Sequence, residues 1–138
     1  MVLERVLHSS VRYPFDYGFI PNTRADDGCA LDALVIMAEP TFSGCLIQAR
    51  PIGLLDLQDN GVYDGKILCV PAADPRQDVI RSLRQIAPSQ LEDVAEFFRT
   101  SGSLEGRRIS IDGWRDLDAV GPLLDRSMAA ATPEDAER

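Results

Sequence analysis

Two short turns gather the residues that could do chemistry. Asp26-Asp27-Gly28-Cys29-Ala30-Leu31-Asp32 sets acidic side chains around a tight turn, immediately before the apolar run Ala33-Leu34-Val35. Asp59-Asn60-Gly61-Val62-Tyr63-Asp64-Gly65-Lys66 carries two more carboxylates and the only lysine of the chain. Clustered carboxylates repel one another unless a hard cation sits between them, and Mg²⁺ takes a few carboxylates plus water and phosphate oxygens. The two turns therefore read as halves of one metal site, suited to phosphoryl transfer or phosphate hydrolysis. Taken singly, Asp26, Asp27, Asp59 and Asp64 are explained as well by turn formation, since Asp caps nearby amides; their joint spacing favours ligation. Asp32 is the sharpest case, because an acid at the mouth of a buried strand is costly unless paired or metal-bound.

The elements that must position these turns are short at first and helical later. Residues 2–7, 31–38, 45–50, 52–57 and 66–70 are aliphatic runs bounded by Gly, Pro, Asp and Asn, the pattern of strands joined by turns. Many strands in a short chain predict a mainly β fold with flanking helices (α+β), a small closed OB-like β-barrel with two to three α-helices packed on it. After Pro75, Val79, Ile80, Leu83 and Ile86 recur at helical spacing. A second helix is expected from Ser89, with Ser89 and Glu92 as a capping box and Leu91, Val94, Ala95 and Phe98 as its buried face. A strand over 107–114 turns Ile109 and Ile111 inward, and a last helix runs from about Asp116 to Met128, disturbed at Gly121-Pro122. Residues 1–128 form one domain on this reading, and the small polar tail 129–138 is expected to be disordered.

Composition narrows the function classes. A chain of 138 residues with 45% hydrophobic content can bury a core without disulfide staples. Its net charge of −8 argues against nucleic acid, whose binders need a basic stripe to displace counterions. Three widely spaced cysteines, Cys29, Cys45 and Cys69, fit a reducing cytoplasm better than a disulfide or zinc framework, and Cys45 and Cys69 read as small hydrophobes. No apolar run approaches a membrane span, so no membrane association is expected and a cytoplasmic location is. His8, the single histidine, has no soft-metal partner nearby and reads as a surface or strand-end residue.

Several segments, in order, resemble the soluble inorganic pyrophosphatases of the barrel-fold family, family I. Asp27-Gly28-Cys29-Ala30-Leu31-Asp32-Ala33 is similar to that family's Asp-Gly-Asp-Pro-hydrophobic-Asp-hydrophobic pattern. Upstream, Tyr13-Pro14-Phe15-Asp16-Tyr17-Gly18-Phe19-Ile20-Pro21 looks like its Tyr-Pro-x-x-Tyr-Gly-aromatic-Ile-Pro run. Downstream stand Arg50-Pro51-Ile52-Gly53, then Asp59, Asp64 and Lys66, then Val70-Pro71, Phe97-Phe98 and Gly113-Trp114. The resemblance implies Mg²⁺-dependent hydrolysis of pyrophosphate to two phosphates, with Mn²⁺ or Zn²⁺ as alternative ions. Asp27, Asp32, Asp59 and Asp64 would hold metal, while Arg5, Tyr17 and Lys66 would contact phosphate. Arg5 reads equally as a surface ion-pair partner, and Tyr13 and Phe19 as core. A homo-oligomer is implied, with pyrophosphate and phosphate as the small-molecule partners.

Three departures from the pattern bear on turnover. Cys29 stands where the family has a water-activating Asp, and a thiol with an ordinary pKa of about 8.5, raised further by neighbouring carboxylates, is a poor base at neutral pH. Ser101-Gly102 stands where the family has a phosphate-holding Tyr-Lys pair. The family also carries a longer segment before the part that begins here at Met1, so the chain reads as N-terminally shortened. A slow enzyme is the expectation; the alternative is a catalytically impaired relative that binds metal, phosphate or a partner.

Overall fold

The structure, a computed structural model, describes residues 2–3, 15–36, 44–72, 75 and 79–137. One six-stranded sheet runs through it in the order β1 (Val2–Leu3), β2 (Asp16–Ile20), β3 (Leu31–Val35), β5 (Val62–Pro71), β4 (Ala49–Asp59), β6 (Ile109–Asp116). All neighbours are antiparallel except β3 and β5, which run parallel. Alternation along these strands builds two cores. Leu34, Leu55, Leu57, Leu68 and Val70 face one way with Phe15, Val94 and Phe98. Leu31, Ala33, Val35, Leu54, Ile67 and Cys69 face the other way with Val120 and Leu123. Helix α1 (Pro88–Leu104) thus covers the first face and α2 (Val120–Ala129) the second. Burial on both faces is why the stretches 31–35 and 66–70 read as nearly continuous apolar runs. The mainly β architecture with helices is as expected; among the described residues no ladder joins β6 to β1 to close the sheet.

Several boundaries differ from the sequence expectation. The runs 45–50 and 52–57 belong to one strand, β4, whose register slips between Pro51 and Gly53; a proline that cannot donate to a ladder is tolerated at such a bulge. Among the described residues after Pro75, Leu83–Gln85 form a 3₁₀ turn, where the Gln85 side chain accepts from the amides of Arg81 and Ser82. The capping box expected at Ser89 is absent: α1 starts a residue earlier, with Ala87 as N-cap and Pro88 in the first turn, where a missing N–H costs nothing. Asp16–Ile20, read as a motif and not as a strand, is β2. Gly121-Pro122 lies in the first turn of α2 and leaves it intact, for the same reason as Pro88. Where disorder is expected, Pro133–Glu137 forms a 3₁₀ turn with Asp135 buried. Residues 4–7 and 37–38 of the expected strands, with Arg5, His8 and Tyr13, lie outside the described residues.

Candidate active site

The register brings the two acidic turns to one face. In the parallel β3–β5 pair Asp32 lies opposite Lys66, and in the β2–β3 pair Tyr17 lies opposite Leu34. Asp64 and Lys66 share the face of Leu68, and Asp32 shares that of Leu34, so Tyr17, Asp32, Asp64 and Lys66 all project on the α1 side, at the rim of its core. Lys66 is buried there and forms the centre of the cluster. Its Nζ lies 2.5 Å from Asp32 Oδ2 and 2.8 Å from Asp64 Oδ2, and donates to the Tyr17 hydroxyl at 3.0 Å. The same ammonium stands 5.4 Å from the ring centroids of Tyr17 and Phe98, within cation–π range.

The electrostatics follow from crowding. Burial alone would lower the Lys66 pKa, but Tyr17, Asp32 and Asp64 together more than offset this and hold it above its usual value, so the site keeps a fixed positive charge. Burial pushes the Asp64 carboxyl upward; Lys66 opposes, and Asp32 and Asp27 add to the rise. Tyr17 is likewise raised, first by burial, and stays a phenol. Asp27 is thus in the electrostatic neighbourhood of Asp64, although its Oδ1 accepts from the Cys29 amide at 2.9 Å within its own turn. Cys29 is exposed on that turn, whereas Cys69 is buried and its thiol pushed up to about 12, and Cys45 is half-buried outside the ladders.

Asp59 reaches the same face by another route. Asn60 and Gly61 have φ of 51° and 84°, the left-handed pair of a two-residue hairpin turn, which leaves Asp59 opposite Val62 as the last rung. The Asn60 amide and side chain then pair with the backbone of Arg108, each at 2.8 Å, and this brings Arg107 onto the Asp59 carboxylate. Asp59 is therefore ion-paired with Arg107. Among the described residues, no three carboxylate, imidazole or thiol groups stand close enough to hold one metal ion. The donor chemistry nevertheless fits a hard divalent ion: the donors are oxygens only, and Asp32 and Asp64 already converge on one positive charge.

The acidic turn is held from behind. Thr23 Oγ1 donates to Ile20 O and accepts from the Leu31 amide, tying the loop ends together at 2.6 and 3.0 Å. The Arg24 amide donates to Ser127 O of α2, and its guanidinium reaches the buried Asp135 carboxylate, Nε to Oδ2 at 3.2 Å. Arg24, Phe98, Arg107 and Asp135 carry no local sequence signal for these roles, since each acts through a partner distant in the chain.

Comparison with known proteins identifies the family. A family model described as inorganic pyrophosphatase matches residues 1–132. The chain is 57% identical over 123 residues to the inorganic pyrophosphatase of Synechocystis sp., covering 89% of this chain and 73% of that protein. It is 48% identical over 121 residues to that of Methanosarcina acetivorans, covering 88% and 72%. Among solved structures, an inorganic pyrophosphatase from Coxiella burnetii superposes with a TM-score of 0.86 at 32% identity, covering 94% of this chain and 79% of that one. The Thermus thermophilus inorganic pyrophosphatase gives 0.81 at 34% identity, with 91% and 74% covered. The match spans both acidic turns, every strand between them and the two helices that back them, and with it the chain belongs to the inorganic pyrophosphatase family.

Proposed function

We propose that the protein, acting through a single domain, hydrolyses inorganic pyrophosphate to two phosphate ions with the help of a divalent cation, most naturally Mg²⁺. The observation that carries this reading is the convergence of Asp32 and Asp64 on Lys66 at 2.5 and 2.8 Å, with the Tyr17 hydroxyl beside them. Two carboxylates, a buried ammonium and a phenol are the complement of a cation bound to a polyanion. Asp27, Asp32 and Asp64, with Asp59 at the rim, would hold the cation. When bound, it would acidify water and neutralise charge on the phosphates. Lys66 and Tyr17 donate to phosphate oxygens and stabilise the departing phosphate; Arg5 is assigned the same task from the family resemblance. The reaction adds one water across the phosphoanhydride, and the proton that water loses has no carboxylate at Cys29 to receive it. General-base assistance is commonly worth about 10² to 10⁴ in rate, so slow turnover follows.

The same Cys29, with Ser101-Gly102, favours a second reading, a relative that binds metal and phosphate without turning over. Phosphate release from pyrophosphate, measured with Mg²⁺, Mn²⁺ and Zn²⁺ side by side, separates the two. Cation-dependent release above background is expected, greatest with Mg²⁺; binding of both ligands with no release favours the second reading. No helix among the described residues is long and apolar enough to cross a membrane. A cytoplasmic setting and a homo-oligomeric assembly complete the proposal.

A further inference from the structure

We propose that Arg107 contacts the phosphate of the substrate, and that its guanidinium competes with the divalent cation for Asp59, so that cation binding turns Arg107 toward the anion. This rests on the pyrophosphatase reading above. Arg107 bridges Asp59, beside the hairpin tip, and Glu105, just past the end of α1. Its Nη1 donates to Asp59 Oδ2, while Nε and Nη2 both reach Glu105 Oε2, at 3.0 and 2.9 Å. Glu105 thus fixes one edge of the guanidinium plane and Asp59 takes the other, so withdrawing Asp59 leaves an oriented edge and not a loose side chain. That edge is accessible: the side chain of Arg107 is 37% exposed and that of Asp59 24%.

The backbone beneath is anchored. The Arg107 amide donates to Gly102 O at 2.7 Å, and the Asn60–Arg108 pairing pins the next residue to the hairpin tip. Gly102 lies so close to Ile109 that any Cβ there would overlap its Cγ1. The end of α1 therefore has no room for a side chain at Gly102 in this arrangement, and the nearby cation paired with Asp59 is Arg107. A planar fork of donors matches phosphate oxygens better than an ammonium does. Asp59 cannot serve Arg107 and a divalent ion equally, because each neutralises the charge that attracts the other.

The test combines calorimetric titration of Mg²⁺ into the pyrophosphate-free protein with the KM for pyrophosphate at saturating Mg²⁺, for wild type, Arg107→Gln and Arg107→Lys. Arg107→Gln is expected to bind Mg²⁺ about two- to fivefold more tightly, the range of a half-exposed ion pair. Its KM should rise about tenfold or more, as for loss of a charge-assisted hydrogen bond. A purely structural role would weaken both ligands together, so the opposite signs are diagnostic. Arg107→Lys, which keeps the charge and loses the fork, should raise KM by about threefold and serves if the Gln variant does not fold. Unchanged or weaker Mg²⁺ binding, or an unchanged KM, overturns the proposal. A wild type that releases no phosphate instead overturns the functional reading, while the calorimetric arm still reports on Arg107 and Asp59.

Discussion

At the scale of single residues, Cys29 and Lys66 separate lost chemistry from lost binding. Cys29 is exposed on the turn whose amide engages Asp27, so exchanging its thiol for a carboxylate disturbs no packing. Cys29→Asp should raise Mg²⁺-dependent hydrolysis by about an order of magnitude or more, read as initial rates of phosphate release. Asp32→Asn should instead weaken Mg²⁺ binding, because it removes a charge meant for the cation. Lys66 neutralises two largely buried carboxylates, and Lys66→Met would leave them facing each other. A loss of roughly 3 kcal/mol in urea unfolding at pH 7 is expected, as for breaking a buried pair. The sign with pH is set by Asp64, whose pKa is raised in the folded state chiefly by burial. A raised carboxyl favours the folded state below its unfolded pKa and loses that contribution as pH rises through its folded value. The deficit of Lys66→Met should therefore shrink toward acid pH.

At the scale of elements, the acidic loop is fastened to the end of the chain. Asn22 and Arg24 donate their amides to Asp135 O and Ser127 O, and Asp135 also accepts from the Thr132 amide at 2.6 Å. These bonds, the Thr132 amide first and Arg24 after it, hold the Asp135 carboxyl below its ordinary range. A depressed carboxyl contributes stability above its unfolded pKa of about 3.9 and loses it as pH falls through the folded value. Asp135→Asn should flatten that acid dependence and speed hydrogen exchange at the Asn22 and Arg24 amides; unchanged protection there would show the loop to be held by Thr23 alone. Gly102 sets the docking of α1 on β6. Gly102→Ala, which drives a methyl into Ile109, should cost about 1–3 kcal/mol, measured by thermal denaturation, with the largest exchange changes in the loop carrying Arg107.

At the scale of the whole molecule, the sheet keeps two ends, β1 and β6, with no ladder between them among the described residues. Leu46, Val79, Leu104 and Met128 are also large apolar side chains left exposed, at 73%, 73%, 83% and 58%. Unpaired strand edges and exposed apolar groups are surfaces that a second copy can cover. At least a dimer is expected at micromolar concentration by light scattering, and a mass near 15.2 kDa would count against it. The net charge of −8 opposes close approach of copies, so association should strengthen as salt screens the repulsion.

The amino-acid sequence by itself determined the two acidic turns, the apolar strands around them and the family resemblance, because turn chemistry and alternation are local properties. Residues 59–66 read as a turn and the runs at Leu31 and Lys66 as strands, while the hairpin at Asn60-Gly61 and burial on both faces emerged only in the fold. Where local signals conflicted, tertiary context decided: a bulge carried one strand through Pro51, Leu83–Gln85 took a 3₁₀ turn, and Asp135 was buried within another at Pro133–Glu137. Which charges meet was decided only by the tertiary structure. Lys66 joins Asp32 across a parallel pair whose connection the sequence does not reveal, and Asp59 meets Arg107 only because the hairpin tip pairs with the backbone entering β6. Periodicity places a side chain on a face, but the partner across that face comes from register between distant segments, and register is a property of the folded sheet.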